Sequence, residues 1–178
     1  MDGVGRCRRV YKLNRSLELE ALFPELNPSN YKITSPKDGN YNCIAWAAGD
    51  DTHWWEPIDF VPGMPMGGFY WPTGLPREHT LGSYILAFKR QGYRECESAD
   101  YETGVEKVAL YAKNGAPTHA ARQLPNGTWT SKLGELQDIE HANLQCIEGD
   151  GYGAVDAILC RTLRSNRPSS FERNLRLP

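Results

Sequence analysis

Two residues of this chain have the types needed for nucleophilic chemistry, a cysteine and a distant histidine. Cys43 follows Asn42 and opens the run Cys43-Ile44-Ala45-Trp46-Ala47-Ala48, which ends at Gly49. Asparagine is a favoured N-cap and glycine a natural stop, so the spacing predicts a short helix with a thiol on its first turn. Amides at a helix start favour negative charge, and the thiolate rather than the thiol is the nucleophile. His119 lies in Pro117-Thr118-His119-Ala120-Ala121-Arg122-Gln123-Leu124, at the start of a predicted strand. If folding joins the two, His119 takes the proton of Cys43, the sulfur attacks an acyl carbon, and water later releases the acyl-enzyme. The oxyanion needs donors. The Cys43 amide is one, and Asn42 or Asn40 offers a side-chain N–H, each donor being worth ~3 kcal/mol. Taken singly, the two residues read more plainly as a buried thiol and a strand histidine satisfied by backbone.

The elements that must position this pair are legible in outline. Ser16 to Leu22 predicts a short helix opened by Asn14 or Ser16 and stopped by Phe23-Pro24. Residues 27–42 read as loop, with turn chemistry in Asn27-Pro28-Ser29-Asn30 and Ser35-Pro36-Lys37-Asp38-Gly39-Asn40. Asp50 to Pro76 has no clean period and carries Trp54, Trp55, Phe60, Phe69, Tyr70 and Trp71. Such a segment either walls a groove beside Cys43, with Trp54, Trp55 and Trp71 as contact area, or covers the core as a lid. Thr80 to about Gln91 is the clearest helix, with Leu81, Tyr84, Ile85 and Phe88 on one face and Gly92 after it. Strands follow at 105–112, 118–124 and 128–133, joined by Asn114-Gly115 and Asn126-Gly127 turns into an antiparallel meander. Leu136 to His141 reads as a helical turn, Gly149 to Gly153 as a loop, and Ala154 to Leu163 as a last strand.

With 178 residues the chain is expected to form one domain, with a core at about 16–160 and a flexible basic tail at 161–178. Charge is uneven. Residues 1–15 hold five Lys or Arg against one acid and residues 161–178 hold five Arg against one, leaving ten bases and twenty acids between them. A middle of net charge about −10 argues against nucleic acid as a partner of the core. Five scattered cysteines lack both CxxC pairing and the density of a disulfide scaffold, so reduced thiols and no metal are expected. His53, His79 and His141 have no partners at ligand spacing. No stretch approaches the ~20 apolar residues of a membrane span and the N-terminus lacks the apolar core of a signal peptide. The expectation is a cytoplasmic protein without a membrane partner and of unspecified oligomeric state.

A helix bearing cysteine, followed by a sheet bearing histidine, resembles the papain-like cysteine hydrolases. The closer likeness is to their NlpC-type peptidases, in which a third polar residue follows a Gly-bearing hairpin twelve positions beyond the histidine. Here the hairpin tip is Pro125-Asn126-Gly127-Thr128 and the third position is Ser131. The resemblance covers roughly residues 40–134. It implies an α+β papain-like fold, an N-terminal helix bearing the nucleophile Cys43 packed on an antiparallel β-sheet, with His119 as base and Tyr41 as a further candidate oxyanion donor, since related peptidases can use a tyrosine near the site. Serine departs from the histidine or asparagine usual at the third place and orients an imidazole less firmly than a carboxylate would. Asp138 is therefore the second candidate, and Lys132, Gln123, Glu140 and His141 lie nearby. The strings around Cys43, His119 and Trp129-Thr130-Ser131-Lys132-Leu133-Gly134 also resemble a small family of uncharacterised proteins. The implied activity is hydrolysis of an amide in a peptide or protein substrate, by a peptidase, amidase or deamidase without cofactor. An acyltransferase or transglutaminase-like enzyme is the nearest alternative. A catalytically inactive papain-like module that binds a protein through its Trp-rich loop and basic ends is the other.

Overall fold

The computed structural model describes residues 15–58 and 68–163. In chain order its elements are α1 (Leu17–Leu22), β1 (Tyr31–Ile33), α2 (Cys43–Ala48), α3 (Leu81–Arg90), β2 (Arg94–Cys96), β3 (Val105–Lys113), β4 (Ala116–Gln123), β5 (Trp129–Lys132), β6 (Asp138–His141) and β7 (Ala154–Thr162). A 3-10 turn at Leu144–Ile147 lies between β6 and β7. Cys7, Phe60 and most of both basic chain ends named above fall outside the described residues; Arg15 is described, paired with Glu20 at 2.8 Å, as is Arg161, which belongs to β7 rather than to a tail.

Caps place the helices where local chemistry demands. Ser16, Asn42 and Thr80 each accept a hydrogen bond from the backbone N–H three residues on, satisfying a donor the first turn leaves free. α2 stops at Gly49, whose φ of 84° and ψ of 21° lie in the left-handed region and return its N–H to Ala45 and Trp46. At the β3–β4 hairpin Asn114 (φ 53°) and Gly115 (φ 78°) are both left-handed, the two-residue turn that suits the strand twist.

The strands form one seven-stranded sheet in the order β1-β6-β5-β4-β3-β7-β2, with every neighbouring pair antiparallel, so the chain is α+β. β6 replaces the helical turn expected at Leu136 to His141: Leu133 N–H bonds Gln137 O and the chain folds straight back along β5. The three-residue edge strands β1 and β2 lie in stretches read as loop or left unassigned. They are extended because β6 and β7 offer them free backbone groups.

Both faces of the sheet are covered. Along β3, Val108 and Leu110 pack with α2, α3 and the buried Trp55 and Trp71, whereas Ala109 and Tyr111 pack with α1, Trp129 and the 3-10 turn. Val108 to Tyr111 are consequently all buried, as period-two alternation requires of a strand between two layers. Trp55 pairs with Tyr70 in an isolated parallel bridge, and Tyr70 N–H and Glu56 N–H bond across it at 2.8 and 3.1 Å. No helix among the described residues is long and apolar enough to cross a membrane.

Candidate active site

Cys43 is the first residue of α2, and its position is set by Asn42. The Asn42 Oδ1 accepts from Ala45 N–H at 3.1 Å and Trp55 N–H at 3.2 Å, and its Nδ2 donates to Trp55 O at 2.7 Å. One side chain thus caps the helix and pins the aromatic segment to it. The thiol lines a cleft of about 200 Å³ together with Trp54, Glu56, His79, Tyr84, Thr118 and Tyr152. Thr118 reaches it through a β-bulge: Tyr111 pairs with His119 and Ala112 with Pro117, leaving Thr118 unmatched. Its Oγ1 donates to Tyr152 O at 2.5 Å.

Electrostatics keep this sulfur protonated at rest. Burial pushes the Cys43 thiol up to about 11; the Glu56 carboxylate adds to this, and the backbone amides of Ala120, Ile44 and Cys43 itself oppose it. Glu56 is buried in the cleft wall and burial raises its carboxyl. The Tyr84 hydroxyl, which donates to Oε1 at 3.0 Å, the neighbouring His79 and an Ile58 amide pull it back down. The His79 ring meets Tyr84 edge-on at 5.7 Å between centroids and remains exposed to solvent.

His119 does not line this cleft, which corrects its expected role. Ala120 faces α2 and Ala121 faces the opposite layer; His119, cross-strand from Tyr111, falls with Ala121 on the far face. Its ring is 1% exposed, stacked on Tyr152 at 4.1 Å and 12° and edge-on to Tyr111 at 5.4 Å. Neither ring nitrogen has a hydrogen-bond partner among the described residues. Burial, and secondarily His141, hold its pKa well below the ordinary histidine value, so it is neutral.

The other expected members are also engaged elsewhere. Ser131 bonds to His141 Nε2 at 2.9 Å, and His141 Nδ1 donates to Asn143 O at 2.7 Å, so Ser131 orients His141 rather than His119. Asp138 accepts from Tyr41 OH at 2.6 Å and lies 3.9 Å from the fully buried Lys132. Lys132 Nζ also donates to Leu136 O and sits 5.1 Å above the Tyr41 ring. Tyr41, Lys132 and Asp138 therefore form a closed buried network on the α2 side of the sheet, not a substrate contact. Asn40 is exposed, with its backbone N–H on Asp38 Oδ1 at 2.9 Å, and is not part of the cleft wall. Trp54 does line the cleft, whereas Trp55 and Trp71 are core residues whose indole N–H groups are spent on Asp50 and Pro76 O.

Glu56, His79, Tyr84 and Tyr152 are the cleft residues that sequence spacing misses. Glu56, His79 and Tyr152 come from segments with no periodicity, whereas Tyr84 lies on the apolar face of α3, where helical spacing marks it only as a packing residue; the cap Thr80 beside His79 is the one hint that this histidine sits at an element boundary. Among the described residues no three His, Cys, Asp or Glu side chains gather as ligands for an ion.

No curated protein and no solved structure matches the chain. The family model described as Domain of unknown function (DUF7689) matches residues 32–160, most of the chain, and the chain belongs to that family.

Proposed function

We propose that this protein is a cysteine-dependent hydrolase that cleaves a small amide through an acyl-enzyme on Cys43, on a papain-like arrangement of a short helix against an antiparallel sheet. The single observation that carries this reading is Cys43 on the first turn of α2, lining a cleft that also holds an imidazole and a carboxylate. The His119 equivalence suggested by the resemblance is not among its supports.

Cleft size narrows the substrate. At about 200 Å³ it is smaller than the roughly 300–1,000 Å³ typical of sites for drug-sized ligands. A space of that size suits one carboxamide side chain better than an extended peptide, which favours a glutamine or asparagine amidase within the broader class. The Cys43 amide, free of intrahelical bonding at the first helical position, supplies an oxyanion donor.

The test is ammonia release from glutamine-bearing and asparagine-bearing peptides, with conversion of the side chain to the acid followed by mass spectrometry. Release that disappears in Cys43→Ala supports the proposal; release that persists in that variant, or is absent from both peptide classes, refutes it. The inactive binding module draws its own support from the raised thiol pKa and would yield the second of those negative results.

A further inference from the structure

We propose that His79, backed by Glu56, is the general base of the Cys43 site. This inference rests on the reading of Cys43 as a nucleophile given above.

The chain holds four histidines, and the fold accounts for all of them. His119 is sealed between Tyr111 and Tyr152 on the far face of the sheet. His141 has both nitrogens occupied, by Ser131 and by Asn143 O. His53 has its Nδ1 on Asp50 Oδ2 at 2.9 Å, beside Thr52, and does not line the cleft. His79 alone shares the cleft with the thiol. It sits one residue before the cap of α3, so its backbone is anchored while its ring stays in contact with water and can exchange protons.

Glu56 places a carboxylate in the same cleft wall as the imidazole. Its carboxylate is held by the Tyr84 hydroxyl at 3.0 Å, and the His79 ring packs edge-on against that same tyrosine. A negative charge placed there disfavours a resting thiolate and favours the imidazolium that forms when the thiol gives up its proton. The site is thus built for attack by a neutral thiol with concurrent proton removal, rather than for a standing thiolate–imidazolium pair. In the first half-reaction the Cys43 proton passes to His79, the sulfur–acyl bond forms, the amide C–N bond breaks and the imidazolium protonates the leaving nitrogen. In the second, water adds to the thioester, giving its proton to His79. The sulfur–acyl bond then breaks, the acid leaves and the imidazolium proton returns to sulfur.

The experiment uses the full chain and p-nitrophenyl acetate, which transfers its acetyl group to Cys43 and releases p-nitrophenolate, with the adduct located by mass spectrometry. His79→Ala is expected to slow acetylation of Cys43 by roughly 10²-fold or more, the usual scale of general-base assistance. Added free imidazole is expected to restore part of the rate, as a merely structural role for His79 would not allow. His119→Phe is expected to stay within about threefold of the parent protein, since general-base loss at that position would exceed this by far. If acetyl still maps to Cys43 but His79→Ala keeps the parent rate, or its loss is not rescued by imidazole, or His119→Phe matches it, the assignment of His79 is overturned and the nucleophile stands. If Cys43 is acetylated no faster than Cys96, Cys146 and Cys160, both fail.

Discussion

Replacing His119 by phenylalanine separates a packing histidine from a catalytic one, and the structure sets the size of the effect. The ring lies between Tyr152 and Tyr111 with 1% exposure and with both nitrogens unpartnered among the described residues. Phenylalanine preserves the ring contacts and removes two buried polar atoms. An unsatisfied buried polar group costs ~1–3 kcal/mol, so the variant is expected to be more stable than the parent at pH 7 by about 1 kcal/mol. The difference should widen in acid. Burial lowers the folded-state pKa of His119 well below 6.5, so the unfolded chain takes up a proton that the folded chain refuses. The neutral ring's full contribution is present above the unfolded value and is lost as pH falls below it, by ~1.4 kcal/mol per pH unit until the folded pKa is reached. That loss, growing as pH falls from 6.5, is absent from the phenylalanine variant. His141, lowered by burial to about 4 with the Asn143 carbonyl and Glu140 opposing, adds its own acid loss to both proteins and cancels in the comparison. Urea unfolding followed by tryptophan fluorescence at pH 7, 6 and 5, at unchanged m-value, measures the difference. A variant less stable than the parent by more than about 1 kcal/mol at pH 7, or a gap that fails to grow towards pH 5, would refute the placement of His119 in a sealed apolar layer.

Three further substitutions probe the surrounding structure. Ser131→Ala leaves His141 Nε2 without its 2.9 Å partner in a buried layer and should cost roughly 1–3 kcal/mol in urea unfolding while leaving the rate of Cys43 acetylation unchanged. Lys132→Met strands the Asp138 carboxylate beside Tyr41; the expected loss is about 3–5 kcal/mol, and pairing it with Asp138→Leu should recover most of it, so a non-recovering double variant would count against the buried network. Gly153→Ala meets two obstacles, a left-handed φ of 74° and the Ala112 carbonyl directly in the path of the new methyl group. A destabilisation of about 3 kcal/mol or more is expected from strain and overpacking together, and a neutral result in thermal unfolding would show that Gly153 does not lie against the Ala112 carbonyl.

Local chemistry written in the sequence determined the helix caps at Ser16, Asn42 and Thr80, the stop at Gly49, the Asn114-Gly115 hairpin and the long strands on either side of it. Each depends on hydrogen bonds or backbone preferences within a few residues, which a linear reading can follow. Tertiary structure decided the rest. β1, β2 and β6 are short, and their extension is stabilised by ladder partners distant in the chain, so no local period marks them. The candidate site shows the same division. Cys43 at the head of a helix was legible from its cap, but which face of β4 would meet that helix was not. β4 carries Ala120 and Ala121 on opposite faces of a sheet buried on both sides, so no polar alternation distinguishes them. A one-residue difference in that choice sends His119 behind the sheet. His79 and Glu56 share a cleft with Cys43 only because the chain at Trp54 to Glu56 and the start of α3 pack over the same face as α2, a juxtaposition that nonlocal burial alone produces.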